Sequence, residues 1–495
     1  MTLVTNALQS TGMKNFPQKF VERIEHLLPV EEVESFLQCA TEPLPKTVRL
    51  VQNGKPSHQN LEDDLWDLSP VADLPNAFFI DRTHREKNPL GNTLTHFSGG
   101  IYIQSLSSML PVIVLDPQSG EKILDLCSAP GSKTTFIAEK MNFSGVVVAN
   151  EPSSSRSKKL ASNVDRIGCT NVVLTQSDGV ALSAFLGQEF DRILLDAPCS
   201  SEGYGRKSAD FFTRNWNEKN IFASAKLQKR LIESAFKMLK PGGTLVYSTC
   251  TTAPEENELV VQYLCDTFGD AVEICAINFS NIPHYRGVSA WDSKHISAEI
   301  SSNVCRLYPH LKSVQWDSEC FFVAKIKKIK PLELMPPQKS NPPKIKKLDK
   351  QKTAEILVHI QKKWGIDRKF FKTFVFWVRE NGSVWMGTKE VFRYIETHLC
   401  RRAGMEIFNE YGKITSIFSM NFGHLAIKNC VDLDLLEYKK WMQGNNLQNK
   451  NTKIKMENFG GVFLVRYRGV CLGFGTMQEG GILKNKLSRE LVLGL

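Results

Sequence analysis

Between residues 121 and 268, short and nearly unbroken apolar runs alternate with longer amphipathic stretches. No other feature restricts the fold of this 495-residue chain so strongly. The apolar runs are EKILDL (121–126), GVVVANE (145–151), NVVLTQSD (171–178), FDRILLDAP (190–198) and TLVYSTC (244–250). Each has the length of a strand and lacks a regular polar face, so each reads as a strand buried on both sides. Between them KTTFIAEKM (133–141), SRSKKLASNVDRIG (155–168), AKLQKRLIESAFKMLK (225–240) and EENELVVQYLCDTF (255–268) read as helices. Gly168 and Pro241-Gly242-Gly243 are expected to end the second and third of these. The alternation predicts an α/β fold on a parallel sheet. In such sheets ligands bind beyond the carboxyl ends of the strands, where this chain places Asp125, Glu151, Asp178, Asp196 and Cys250.

The flanks read differently. Residues 1–100 mix helices (17–29, 31–40) with short strands such as 46–51. The stretch 325–352 holds ten lysines, two acids and five prolines, and reads as an extended, solvated spacer. After it, 353–495 reads as an independent α+β region, with strand-like SVWMG (383–387), GKITSIF (412–418) and GVFLVRYRGVCLGFG (461–475), and a helix over 387–399. The expected division is 1–100, 101–328, a linker at 329–352, and 353–495.

Composition narrows the function. No run of 18 apolar residues occurs, so a membrane span is not expected, and the N-terminus has no long apolar signal region. Twelve cysteines without a Cys-x-x-Cys pair point to reduced thiols in the cytosol and to no zinc or other metal site. A net charge of +10 favours a polyanionic partner.

The loop after the first strand is Asp125-Leu126-Cys127-Ser128-Ala129-Pro130-Gly131-Ser132-Lys133. Its small residues admit a ligand to the backbone, and the helix behind it offers free N–H groups. It is neither Gly-x-Gly-x-x-Gly nor a Walker loop, so dinucleotide and ATP are poorly supported. Glu151 stands where a carboxylate holds a ribose diol; Asp178 is placed to meet an adenine amino group. A nucleoside without phosphates, S-adenosylmethionine, fits this pattern. Beside it, Asp196, Cys199 and Cys250 converge at two strand tips. Two thiols and a carboxylate next to a methyl donor suit methylation of a pyrimidine C5: a thiolate adds to C6, making C5 nucleophilic, and a carboxylate near N3 assists.

DLCSAPGSKT, DAPCSSEG and STCTTAPEENE resemble the signature motifs of the RNA cytosine-C5 methyltransferase family. The resemblance implies a Rossmann-like S-adenosylmethionine-dependent core, with Cys250 as nucleophile, Cys199 assisting product release and Asp196 contacting the cytosine. It also implies cofactor contacts from Cys127 to Lys133 and from Glu151, Asp178 and Asp196. SGGIYIQSLSSMLP (98–111), RLYPH (306–310) and CFFVAKIKK (320–328) extend it. The region from about 353, with the tail LKNKLSRELVLG (483–494), is similar to the bacterial small-subunit ribosomal RNA methyltransferase F subgroup. That subgroup implies a C-terminal PUA-type RNA-binding module and 16S rRNA of the decoding region, in the small ribosomal subunit, as substrate. A monomer is expected. Two other readings stand beside this one: a tRNA cytosine methyltransferase, and a non-catalytic RNA-binding assembly factor. Two departures from the family pattern are Ser105, where an acid is expected after Gln104, and Cys320, where glycine is usual.

Further candidates have plain alternatives. Arg206 and Lys207 read equally as phosphate contacts or a surface pair. Glu255 and Glu256 read as good first-turn helix chemistry, and Asn257 as a residue that orients the Cys250 loop. His310 reads as motif or structural. Phe374, Phe376, Trp377 and Trp385 read as core rather than base-stacking residues.

Overall fold

The computed structural model describes residues 16–55, 67–71, 73–81, 89–208, 210–339, 341–398, 400–448 and 461–487. The first 15 residues and the tail 488–494, both read above, lie outside the described residues.

A nine-stranded sheet runs through the centre. Its order across the main path is Val272–Cys275, Phe321–Lys328, Leu239–Thr249, Phe190–Asp196, Lys122–Asp125, Val146–Asn150, Val172–Thr175, Arg402–Ala403, with Cys305–Leu307 beside Phe321–Lys328. The five strands expected from the apolar runs pair in parallel; the strands added at both edges run antiparallel. Side chains alternate across the sheet, so neighbours in sequence enter different cores. Ile123, Val147 and Ala149 pack under the helices Leu106–Leu115, Ser132–Lys140 and Ser154–Ile167. Leu124, Val146 and Val148 pack with the helices Glu218–Met238 and Glu258–Phe268 on the other side. Double-sided burial explains the unbroken apolar runs. Lys122–Asp125 lies between Val146–Asn150 and Phe190–Asp196. The winding reverses there, which opens a crevice at the carboxyl ends.

Three local expectations are corrected. The long helix ends at Met238, and Pro241-Gly242-Gly243 lies inside the strand Leu239–Thr249. Lys328 Nζ donates to the carbonyls of Phe236 and Leu239 at 2.9 and 2.7 Å, satisfying the helix end before the proline is reached. The helix expected from 255 starts at Glu258. Residues 412–418 are not a strand: Thr415 Oγ1 accepts from Phe418 N (3.1 Å) and caps the helix Ser416–Phe422, leaving Ile414 in an isolated bridge to Phe408. Threonine's N-cap chemistry outweighs its strand preference here.

At the N-terminal side the helices Gln18–Leu27 and Val30–Cys39 share a core with Phe211, Phe212 and Tyr308. A four-stranded antiparallel sheet follows, ordered Asp67–Pro70, Ala77–Asp81, Thr47–Leu50, Ile101–Ile103.

The spacer is tied down. Gln188 and Leu332 exchange hydrogen bonds, Gln338 N donates to the Ala184 carbonyl, and Ile345–Lys347 pairs with Val375–Arg379. Asp349 then caps the helix Lys350–Trp364. The region beyond is not independent. Arg402–Ala403 pairs with the edge strand Val172–Thr175, Arg402 grips Asp165, and Thr388 Oγ1 donates to Gly145 O at 2.7 Å. An exposed edge of a parallel sheet needs cover, and this segment supplies it. Trp377 and Trp385 complete the core cluster of Leu124 and Val173, and Phe376 is buried in the next one, as their core reading requires. A five-stranded sheet of Cys430–Asp432, Val462–Tyr467, Val470–Gln478, Ile482–Asn485 and Leu447–Gln448 closes the described chain. No helix among the described residues is long and apolar enough to cross a membrane.

Candidate active site

The crevice at the winding reversal gathers the residues singled out in the sequence. Asp125 ends the first strand and is fully buried. Burial pushes its carboxyl up to about 7. One oxygen accepts from Thr134 Oγ1 at 2.6 Å; the other has no protein partner. The small-residue loop is fastened from both sides. Ser128 donates to Asn150 O through its amide (2.9 Å) and hydroxyl (2.8 Å). Arg156 donates to Ala129 O and Asn163 to Pro130 O, at 2.9 and 3.0 Å. Gly131 takes φ +107°, and a Cβ there would stand 3.0 Å from Leu160 Cδ1. The helix Ser132–Lys140 begins directly after it, with no side chain capping its first N–H groups.

Glu151 is buried; it accepts from Ser153 N at 2.9 Å and lies 3.3 Å from Arg156 Nη1. Asp178 is exposed and accepts from Val180 N at 2.9 Å. Cys127 is desolvated, and burial holds its thiol far above the range in which it ionises. Lys133, expected among the cofactor contacts, extends its ammonium to Asp196 Oδ2 (2.7 Å) and Ser108 Oγ (2.9 Å).

Asp196 and Ser248 are partners in register on adjacent strands, and Ser248 Oγ donates to Asp196 Oδ1 at 2.8 Å. The carboxylate is thus fixed by a lysine on one oxygen and a hydroxyl on the other. The strand ends just beyond each partner place Cys199 and Cys250 face to face, Sγ to Sγ at 3.3 Å. The Cys199 thiol facing Cys250 holds the Cys250 thiol below its ordinary range, while Cys199 itself is raised well above.

The loop after Cys250 is braced throughout. Asn257 accepts from Thr249 Oγ1 (2.5 Å) and donates to Thr251 O (3.0 Å), the orienting role expected of it. Glu255 is not first-turn chemistry: it holds Arg23 by two hydrogen bonds and accepts from Trp291 Nε1. Glu256 accepts from Ser200 N and Gln228 Nε2, and burial raises it to about 7. Arg306 and Glu258 form a buried two-bond ion pair, and Arg306 also donates to Thr252 O at 2.8 Å. Arg206 is buried against Asp317 and the Glu42 and Ser318 carbonyls, which removes it as a phosphate contact; Lys207 stays half-exposed beside Glu319. His310 is structural, paired with Glu32 and stacked on Tyr308. Ser105, the departure from the family pattern, donates to Glu319 at 2.8 Å. Cys320 fits in a buried position beside Gly203.

Sequence reasoning missed Ser248, Glu202 and Glu319. Ser248 had a readable signal: it is a polar residue at the tip of the apolar strand that leads into Cys250. The glutamates had none, because their partners lie far away in sequence. Among the described residues no group of three or more His, Cys, Asp or Glu side chains is arranged to hold a metal ion.

This parallel core, with a small-residue loop at its winding reversal, is that of a methyltransferase. Residues 112–327 match the family model described as 16S rRNA methyltransferase RsmB/F. Residues 16–106 match the N-terminal domain of 16S rRNA methyltransferase RsmF, and 428–493 the methyltransferase RsmF PUA domain. Ribosomal RNA small subunit methyltransferase F of Vibrio campbellii is 35% identical, covering 96% of this chain and 97% of its own length. The protein of the same name from Vibrio parahaemolyticus is 34% identical over the same shares. A solved methyltransferase homologue from Pyrococcus horikoshii is 32% identical with a TM-score of 0.51, over 60% of this chain and 91% of that one. The chain belongs to the 16S rRNA methyltransferase RsmB/F family, with the N-terminal and PUA domains of its F branch.

Proposed function

We propose that the protein uses S-adenosylmethionine to methylate C5 of one cytosine in the decoding region of 16S rRNA, through a covalent bond between Cys250 and C6 of the base. The observation that carries this reading is the pair of thiols 3.3 Å apart beside a carboxylate fixed by Lys133 and Ser248. The crevice residues fit the cofactor. The unpartnered oxygen of buried Asp125 can accept from its amine, Glu151 from the ribose diol and Asp178 from the adenine amino group, along the loop from Cys127 to Lys133. Bound there, it supplies an electrophilic methyl group.

The chain's own residues do the rest. Cys250 adds to C6, and the electrons displaced from the C5–C6 bond make C5 nucleophilic. Asp196 holds the N3 edge of the ring as charge shifts onto it. After transfer, a base takes the C5 proton, the electron pair of that C–H bond re-forms the C5–C6 double bond, and the C6–S bond breaks so that Cys250 leaves as the thiolate. Cys199, at 3.3 Å from Cys250, assists that release. The base reaches the site by leaving its stack.

Residues 1–100 and 353–495 hold the RNA around the core at 101–328, with 329–352 as the basic connector. The protein works as a monomer in the cytoplasm. The curated relatives named for the small subunit, and the PUA match at 428–493, support the substrate. Phosphate contacts should make binding fall steeply with salt.

The test is transfer from labelled S-adenosylmethionine to unmodified small subunits, naked 16S rRNA and bulk tRNA. Label in C5 of a single cytosine of the subunit is expected. Label in tRNA alone overturns the substrate, and no label anywhere overturns the activity. Cys199→Ala is expected to accumulate a covalent protein–RNA adduct, visible as a retarded band under denaturing conditions, because the step it impairs follows bond formation.

A further inference from the structure

Glu202, three residues beyond Cys199, has no role in the chemistry above, yet it is almost fully buried, at 2% exposure. A buried carboxylate persists only where several donors meet it. Its Oε2 accepts from Thr251 Oγ1 at 2.9 Å, Thr252 N at 2.8 Å and Thr252 Oγ1 at 2.5 Å. Its Oε1 accepts from Trp216 Nε1 at 2.8 Å. The next amide, Gly203 N, donates to the carbonyl of Cys250 itself at 2.9 Å. Ser201 turns the chain through a left-handed backbone position, φ +62°, to bring these groups across.

We propose that Glu202 is a positioning residue for the nucleophile: it locks the loop after Cys250 to the loop after Cys199 and so sets the distance between the two thiols. The proposal rests on the reading of Cys250 as the attacking group. Three hydrogen bonds from two consecutive residues leave the Cys250 loop no independent rotation. A shift of about 1 Å at a reacting atom costs on the order of a hundredfold in rate. Glu202 itself touches neither base nor cofactor, so its effect falls on the chemical step and not on binding.

The test uses the full chain and unmodified small subunits. In Glu202→Gln the side chain keeps its size but presents one acceptor oxygen and an N–H2 group to donors. Its kcat is expected to fall roughly tenfold to a hundredfold, with KM for both substrates, cofactor affinity and melting temperature near wild type. Thr252→Val removes one donor from the opposite loop without touching the carboxylate. It should lower kcat in the same direction, and the double variant should be no slower than Glu202→Gln alone, since both changes break one contact. A folded Glu202→Gln protein at wild-type kcat, a loss shared equally with cofactor binding, or additive losses in the double variant overturns the proposal. An inactive Cys250→Ala beside a full-speed Glu202→Gln overturns the role of Glu202 alone. A Cys250→Ala protein that still methylates overturns the nucleophile assignment and the positioning role with it.

Discussion

Methyl transfer by Cys250→Ala is expected to fall by on the order of ten-thousandfold or more, to background, while S-adenosylmethionine still binds with near wild-type affinity. The physical reason is the division of the crevice. In the proposed reading the cofactor lies against Asp125, the loop 127–133 and Glu151, and those groups are held by Thr134, Asn150, Ser153 and Arg156. None of these bonds involves Cys250. On the proposed substrate side the Cys250 thiol is the group assigned to form the bond at C6, so its loss removes that step. Alanine also leaves the loop in place, because its anchors use the Cys250 carbonyl and the residues after it, not the thiol. Isothermal titration with the cofactor and single-turnover transfer to small subunits check both halves. A variant that turns over unimpaired, or one that no longer binds cofactor, would contradict the assignment.

The second large effect is on stability. Arg306→Met is expected to destabilise the protein by about 3–5 kcal/mol, read from denaturant unfolding. The guanidinium is 2% exposed; it donates to both oxygens of fully buried Glu258, at 2.6 and 2.5 Å, and to Thr252 O. Burial would lower its basicity, but Glu258 outweighs that and raises it. Methionine would strand a desolvated carboxylate with no charge opposite it. Glu258→Leu combined with Arg306→Met should recover much of the loss, because the charge is then removed with its partner. The pair joins the strand Cys305–Leu307 to the start of the helix Glu258–Phe268, and Arg306 also holds the Cys250 loop through Thr252 O. The single substitution should therefore slow transfer as well.

The same anchors show where local reading stops. The parallel core was legible because burial on both faces forces unbroken apolar runs, and such runs are visible residue by residue. The five strands and their helices appear where that pattern places them, with several ends moved: the long helix already starts at Glu218, capped by Asn217, and other ends shift where a distant group competes. Lys328 ends a helix early, and Arg23 and Ser200 draw Glu255 and Glu256 away from the helix that follows. The strand expected over 412–418 failed for a local reason: a threonine cap was read as a β-branched strand residue.

The crevice was legible in the same way. Asp125, Glu151, Asp196 and Cys250 each end a run, and strand ends on one side of a parallel sheet share one edge. What the sequence by itself determined is therefore the parallel sheet and the set of acids and thiols along that edge, while the order of its strands came from the structure. The tertiary structure alone decided how those groups are paired. Lys133 turns to Asp196, Ser105 meets Glu319 across 214 residues of chain, and Glu202 bridges two loops that are 49 residues apart. It also decided that the C-terminal region closes the core sheet through Arg402–Ala403 instead of standing free. Hydrophobic periodicity is written into neighbouring residues, whereas a buried carboxylate is satisfied by whichever donors the fold brings to it, and their separation along the chain carries no signal.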